Sequence, residues 1–168
     1  MRLAVLTDIH GNLQAFEAAL DHVSRQGVDR IVLAGDLING CPDTAACWHL
    51  ACSLGCPMLR GNHERYVACY DTPRADPSWH TEQYAPIQWS VSQLTTRERQ
   101  TMRALSLSLR FADAPDLLFV HASAHSDKDS LTAYTAHERY LFHRHLLAQY
   151  LAAIQQHRCA VQYYYSAK

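Results

Sequence analysis

Four short apolar runs each end in a residue that can bind a metal ion, and this recurrence constrains the chain more than any other feature. Leu3-Ala4-Val5-Leu6 leads to Asp8-Ile9-His10-Gly11-Asn12, and Ile31-Val32-Leu33-Ala34 ends in Gly35-Asp36. Pro57-Met58-Leu59-Arg60 ends in Gly61-Asn62-His63-Glu64, and Leu117-Leu118-Phe119-Val120 ends in His121. Apolar runs of this length, bounded by turn residues, read as buried strands. Carboxylate, amide and imidazole groups then collect at the strands' C-terminal ends, the edge where open α/β sheets bind ligands. Asp8 and His10 are two apart, so an extended segment would point both the same way, toward one metal ion.

Between the first two runs, Leu13, Phe16, Ala19, Leu20 and Val23 recur at a helical period. Asn12 is placed to cap that helix, expected to run to Gln26, and Gly27 to stop it. Strand, ligand loop, helix and strand make a right-handed parallel βαβ unit. Asp43 is expected to cap a second helix ending at Gly55. Beyond Glu64, a helix to Tyr70 is expected, then a loop over Asp71 to Ser78 set by its proline and aspartate content. Thr81 to Gln93 reads as helical with Pro86 inside it, and Thr95 with Glu98 as the start of a helix to about Ala104. Leu105 to Phe111 alternates strictly and reads as a half-exposed strand, turned by Asp113 to Asp116 into the Leu117 strand. Ala136 to Gln156 is helical in pattern, and Ala160 to Tyr165 strand-like.

The ordered set Asp8-x-His10, Gly35-Asp36, Gly61-Asn62-His63-Glu64 and Val120-His121 resembles the calcineurin-like metallophosphoesterases, and most closely their small bacterial and archaeal members. The resemblance runs from Met1 to about Ser126. It implies an α/β fold, an α/β/β/α sandwich in which the inserted helical region sits over the site. It also implies a pair of divalent ions (Mn, Fe, Ni or Zn). Asp8 and His10 would bind the first ion, Asp36 would bridge both, and Asn62 and His121 would bind the second. His63 would stand by the phosphate without ligating. By its charge alone, apart from the resemblance, Arg65 is a candidate phosphate contact. The implied reaction is hydrolysis of a phosphomonoester or phosphodiester. The family's further motif, Gly-His-x-His, does not occur in this sequence. The expectation is therefore a single domain over 1–168, C-terminally incomplete, with a shortened second sheet.

Each residue also has a plainer reading. Asp8, Asp36 and Asn62 could cap helices, and His10, His63 and His121 could be satisfied loop histidines. His143 and His145 in Phe142-His143-Arg144-His145 are poor substitutes for the missing motif, since in a helix they diverge by roughly 200°. His125 and His137 are looser still. An inactive remnant, or a module that only binds a phosphate ligand, shares the same motifs, as does a fragment of a longer enzyme.

Composition narrows the field. The 168 residues carry a net charge of -1, so no global basic field attracts nucleic acid or an anionic membrane. Met1-Arg2 enters the first strand without an export signal, and no stretch is long enough to span a bilayer. A cytoplasmic location and reduced thiols are expected for the six cysteines. Cys52-x-x-x-Cys56 lacks a second pair at zinc spacing. Val161-Gln162-Tyr163-Tyr164-Tyr165 is uncharged and β-prone, so an exposed edge there would favour a homo-oligomer.

Overall fold

The computed structural model describes residues 1–123 and 126–129, and the backbone of Tyr163–Tyr164. The expected helix Ala136 to Gln156, with His125, His137, His143 and His145, lies outside the described residues. Strand β1 (Leu3–Leu6) is paired in parallel with β2 (Arg30–Leu33), Leu3 opposite Arg30 and Leu6 opposite Leu33. Helix α1 (Leu13–Ser24) connects them. Asn12 caps it by accepting from Ala15 N at 3.0 Å, and Gly27 follows at φ 58°. Helix α2 (Thr44–Ser53) begins after Asp43, whose side chain makes no capping bond.

The third apolar run is shorter as a strand than expected. Met58 and Leu59 form one parallel bridge each, to Leu33 and to Ser106. Pro57 has no N–H to donate and Gly61 turns the chain at once, so a longer ladder does not develop. Helix α3 (Asn62–Cys69) then starts directly off the Gly61 turn. After two short 3₁₀ turns, Pro77–His80 and Glu82–Tyr84, come α4 (Ala85–Gln93) and α5 (Thr96–Ala104). The helix expected from Thr81 is therefore split. Pro86 opens α4 in its first turn, where its missing N–H costs nothing, instead of interrupting a longer helix. Strands β3 (Ser108–Phe111) and β4 (Ala114–Val120) form an antiparallel hairpin with a register shift between Leu109 and Phe111. The backbone of β5 (Tyr163–Tyr164) runs parallel to β1 on the side away from β2.

Strand alternation decides the layers. Ala4 and Leu6 of β1 face the helices, joining Phe16, Leu33, Trp48, Val67 and Met102 in the main core. Leu3 and Val5 face the other way. Leu3 packs with Ala114 and Leu117, and Val5 with Ala34, Leu59 and Phe119. The parallel sheet is thus buried on both faces, by helices on one side and by the β3–β4 hairpin on the other. This is the α/β sandwich arrangement that the motif order implied. No helix among the described residues is long and apolar enough to cross a membrane.

Candidate metal centre

The loops after β1 and β2 are zipped together by their backbones. Asp8 N donates to Gly35 O, His10 N to Asp36 O, Gly11 N to Leu37 O, and Cys41 N to His10 O, at 2.7–3.2 Å. Closing this pairing takes unusual backbone conformations. Asp8, His10, Asp36 and Asn39 all have φ between 53 and 62°, a region that side chains with a Cβ seldom occupy. These are the non-glycine residues with positive φ among those described, and all border one site. Such strain persists only where surrounding structure over-determines it. It also corrects the extended geometry expected for Asp8 and His10: a left-handed turn, not strand alternation, brings them together.

Two glycines let the loops after β2 and after Leu59 approach. A Cβ on Gly35 would lie 2.6 Å from Gly61 N, and one on Gly61 would lie 2.6 Å from Asp36 N and collide with Asp36 Oδ1. Glu64 locks this junction. Its carboxylate, fully buried, accepts from Gly61 N at 2.8 Å and Asp36 N at 2.9 Å on one oxygen. The other accepts from Leu37 N at 2.8 Å and Ile38 N at 3.4 Å. Burial and the nearby Asp36 charge push the Glu64 carboxyl upward, against the pull of these N–H groups.

Asp36 sits at the middle. Its Oδ1 accepts from His63 N at 2.9 Å. Its Oδ2 lies 3.2 Å from His121 Nε2, and 3.9 Å from both His10 Nε2 and His63 Nε2. Asp8 Oδ1 lies 3.5 Å from His10 Nε2, while Thr7 Oγ1 donates to Asp8 Oδ2 at 2.7 Å. Asn62 Oδ1 lies 3.2 Å from His121 Nε2. All five expected ligand residues, with His63, therefore meet at one place. Two overlapping groups of donor atoms could each hold an ion: His10, Asp36 and His63, and Asp8, Asp36 and His121. Both differ from the expected sets: in the first, His63, expected only beside the phosphate, brings a nitrogen within reach, and in the second, Asp8, expected with His10, stands with His121.

The donor set fits a divalent cation. His10 Nδ1 meets Asn39 O at 3.1 Å and His121 Nδ1 meets Ala34 O at 2.9 Å. A carbonyl can only accept, so each Nδ1 carries the proton and each Nε2 is left facing the carboxylates. Without an ion, the acidic groups act on these rings. Burial opposes charge on His121, but the Asp36 hydrogen bond and charge outweigh it and push the ring up to about 9. The hydrogen bond to Asp8 raises His10, and the same bond lowers Asp8. Asp36 is held low by His121 and His63 in spite of its burial. His63 moves down, chiefly through burial.

Sequence reasoning missed Asn39 and the part played by Glu64. The Asn39 amide nitrogen lies 3.0 Å from His63 Nδ1, and its Oδ1 accepts from Ser90 Oγ of α4 at 3.2 Å. The Asn39-Gly40 pair signals only a turn, and no local pattern announces these contacts. Arg65 is where the sequence put it, next to the site, but its guanidinium is engaged: Nε and Nη2 hold Asp127 at 2.7 and 3.0 Å.

The family model for calcineurin-like phosphoesterases matches residues 1–153. MJ0912 of Methanocaldococcus jannaschii is 34% identical over 62 residues, which are 37% of this chain and 26% of that protein. The crystal structure of a metallophosphoesterase from Sphaerobacter thermophilus superposes with a TM-score of 0.61 at 23% identity. The match covers 77% of this chain and 50% of that one. PH1004 from Pyrococcus horikoshii OT3 gives 0.67 at 19% identity, covering 96% of this chain and 69% of that one. At these identities the structural likeness establishes the fold. The chain spans about a quarter of MJ0912 and half of the Sphaerobacter chain.

Proposed function

This chain belongs to the calcineurin-like phosphoesterase family, and from that premise we propose that it is a metal-dependent hydrolase of a phosphomonoester or phosphodiester. One observation carries the reading: a single oxygen, Asp36 Oδ2, lies within 3.9 Å of three imidazole Nε2 atoms, each on a ring whose Nδ1 meets a backbone carbonyl. Asp8, His10 and Asp36 would hold one divalent ion, and Asp36, Asn62 and His121 a second. Bound there, such ions would neutralise phosphate charge and acidify a water at neutral pH. The oxygen and nitrogen donors suit manganese, iron, nickel or zinc.

The chain's own residues supply the rest. Asp36 keeps Oδ2 in place because Oδ1 is tied to His63 N, and because Glu64 pins the Asp36 backbone. His63 is the candidate acid. Its Nδ1 lies 3.0 Å from the Asn39 amide nitrogen and 3.2 Å from Asn39 O, and its Nε2 lies on the Asp36 side. Burial disfavours the charged ring, so His63 hydrogen-bonds the phosphate in its neutral form and donates a proton to the leaving oxygen only as the imidazolium. The deep placement of Asp36, 4% exposed, strengthens these interactions by excluding water.

The test is metal content and turnover on one purified sample. The chain is stripped, reloaded with manganese, and assayed on bis(p-nitrophenyl) phosphate and p-nitrophenyl phosphate, with Asp36→Asn as the control. Bound metal together with hydrolysis lost in the variant supports the reading. Absence of stoichiometric metal, with turnover no higher than in the variant, would refute it and favour a module that only binds.

A further inference from the structure

Two contacts fasten the segment after β4 to α3, and the second lies outside the metal centre. Asn62, the first residue of α3, places Oδ1 3.2 Å from His121 Nε2. Arg65 stands three residues further on, on the same side of the helix. Its Nε and Nη2 donate to the two oxygens of Asp127 at 2.7 and 3.0 Å, a two-pronged geometry that fixes direction as well as distance. Both partners are largely shielded, their side chains 26% and 11% exposed, and Arg65 Cζ lies 4.9 Å from the centre of the Tyr66 ring. Asp127 is in turn joined to His121 by a turn bonded within itself. Ser123 N donates to Ser126 O at 3.1 Å, Ser126 N to Ser123 Oγ at 3.1 Å, and Ser123 Oγ to Asp129 Oδ2 at 2.7 Å. The hydrolysis reading gives the Arg65–Asp127 pair no part.

A histidine ligand is only as well placed as the backbone that carries it. His121 lies just past β4, where the hairpin ladder no longer holds the chain. Its Nδ1 meets Ala34 O at 2.9 Å, which fixes the ring against the end of β2 and not against α3. We propose that Arg65 and Asp127 are a positioning pair: they clamp the turn after His121 onto α3, and so hold the His121 ring to Asn62 and Asp36. Arg65 then acts on the ligand through Asp127 and is not a contact of the phosphate, the role its charge alone suggests. The proposal rests on the hydrolysis reading for an ion at Asp36, Asn62 and His121. Removing either partner leaves a part-buried charge without its counterpart and frees the turn. Asp8 and His10, held by the paired loops after β1 and β2, are not touched by the change.

Two measurements on the full chain test the pair. Manganese binding is followed by the EPR signal of the free ion in the wild type, Asp127→Asn, Arg65→Lys, and the reversed pair Arg65→Asp with Asp127→Arg. Asp127→Asn should weaken one manganese site about tenfold, the low end for an outer-sphere partner, because the pair acts through the turn and not on the ring itself. The other site should be unchanged, which also reports that the variant is folded. Arg65→Lys keeps the charge but loses the fork, and should weaken the same site to a lesser degree; it carries the comparison if Asp127→Asn does not fold. The reversed pair should recover most of the loss. In EDTA, the His121 ring resonances, identified by their absence from His121→Asn, should move in Asp127→Asn and in Arg65→Lys and return in the reversed pair. Both sites binding as in the wild type, or ring resonances that stay in place, would overturn the proposal. So would a raised KM for p-nitrophenyl phosphate in Arg65→Lys with both manganese sites intact, the signature of a phosphate contact. A wild type that takes up no manganese would refute the hydrolysis reading alone, and the EDTA spectra would still decide the pair.

Discussion

Replacing Glu64 by glutamine tests whether the site's framework depends on one buried carboxylate. The change keeps size and shape but turns one acceptor oxygen into an NH₂ group. In one orientation that group faces Gly61 N and Asp36 N, which now donate at 2.8 and 2.9 Å. In the other it faces Leu37 N and Ile38 N, at 2.8 and 3.4 Å. Either way at least one short bond is lost and two donors point at a donor. A buried N–H left without a partner costs about 1–3 kcal/mol, so the variant should lose about 2–5 kcal/mol. With a urea m-value of about 2 kcal/mol per molar, the unfolding midpoint should fall by roughly 1–2.5 M. The fluorescence of Trp48, buried in the main core, reports the transition. A midpoint within about 0.3 M of the wild type, with m unchanged, would refute the reasoning. It would mean that Glu64 is already protonated in the fold and that its backbone partners do without an ionised acceptor.

Two further substitutions probe the same logic elsewhere. Gly61→Ala places a methyl 2.6 Å from Asp36 N; thermal unfolding should show a loss of about 1–3 kcal/mol, accompanied by reduced manganese retention. An unchanged melting temperature would show that the junction can open freely. In the capping box of α5, Thr95 Oγ1 accepts from Glu98 N at 3.3 Å and Glu98 Oε2 accepts from Thr95 N at 2.7 Å. Thr95→Ala should cost about 1 kcal/mol in urea unfolding. Hydrogen bonds from Thr95 hold the Glu98 carboxyl below its usual range. A depressed carboxyl contributes stability above its unfolded pKa of about 4.3 and loses it as the pH falls through the folded value. The stability gap between wild type and Glu98→Gln should therefore be full at pH 6 and close on acidification. A gap that widens in acid would contradict the assignment.

Where local signals were strong, the fold could be read without coordinates. The Asn12 cap, the Thr95–Glu98 box and the apolar run of β1, read as a buried strand, all rest on neighbours within a few residues. Pro86 shows how such a reading goes astray. Its helical pattern is real, but whether proline interrupts a helix or begins one depends on where the preceding 3₁₀ turn breaks, which the pattern does not encode. The third apolar run was legible as buried but not in its length, because pairing depends on how soon Gly61 must turn toward Asp36.

At the site, the groups available and the ends of the elements that carry them are written in the residues themselves: Asp8, His10, Asp36, Asn62, His63 and His121, in family order. Types and order are local, written one loop at a time. How these groups are aimed comes from the packing of distant segments. The left-handed turns at Asp8, His10 and Asp36, the anchoring of His10 on Asn39 O and of His121 on Ala34 O, and the Glu64 clasp are such features. So is the capture of Arg65 by Asp127. Each depends on contacts between segments distant in the chain, Ala34 to His121 being 87 residues apart. A hydrogen bond of that kind leaves no periodicity in the sequence, because its partners are brought together by the packing of two sheets and not by the geometry of either segment alone.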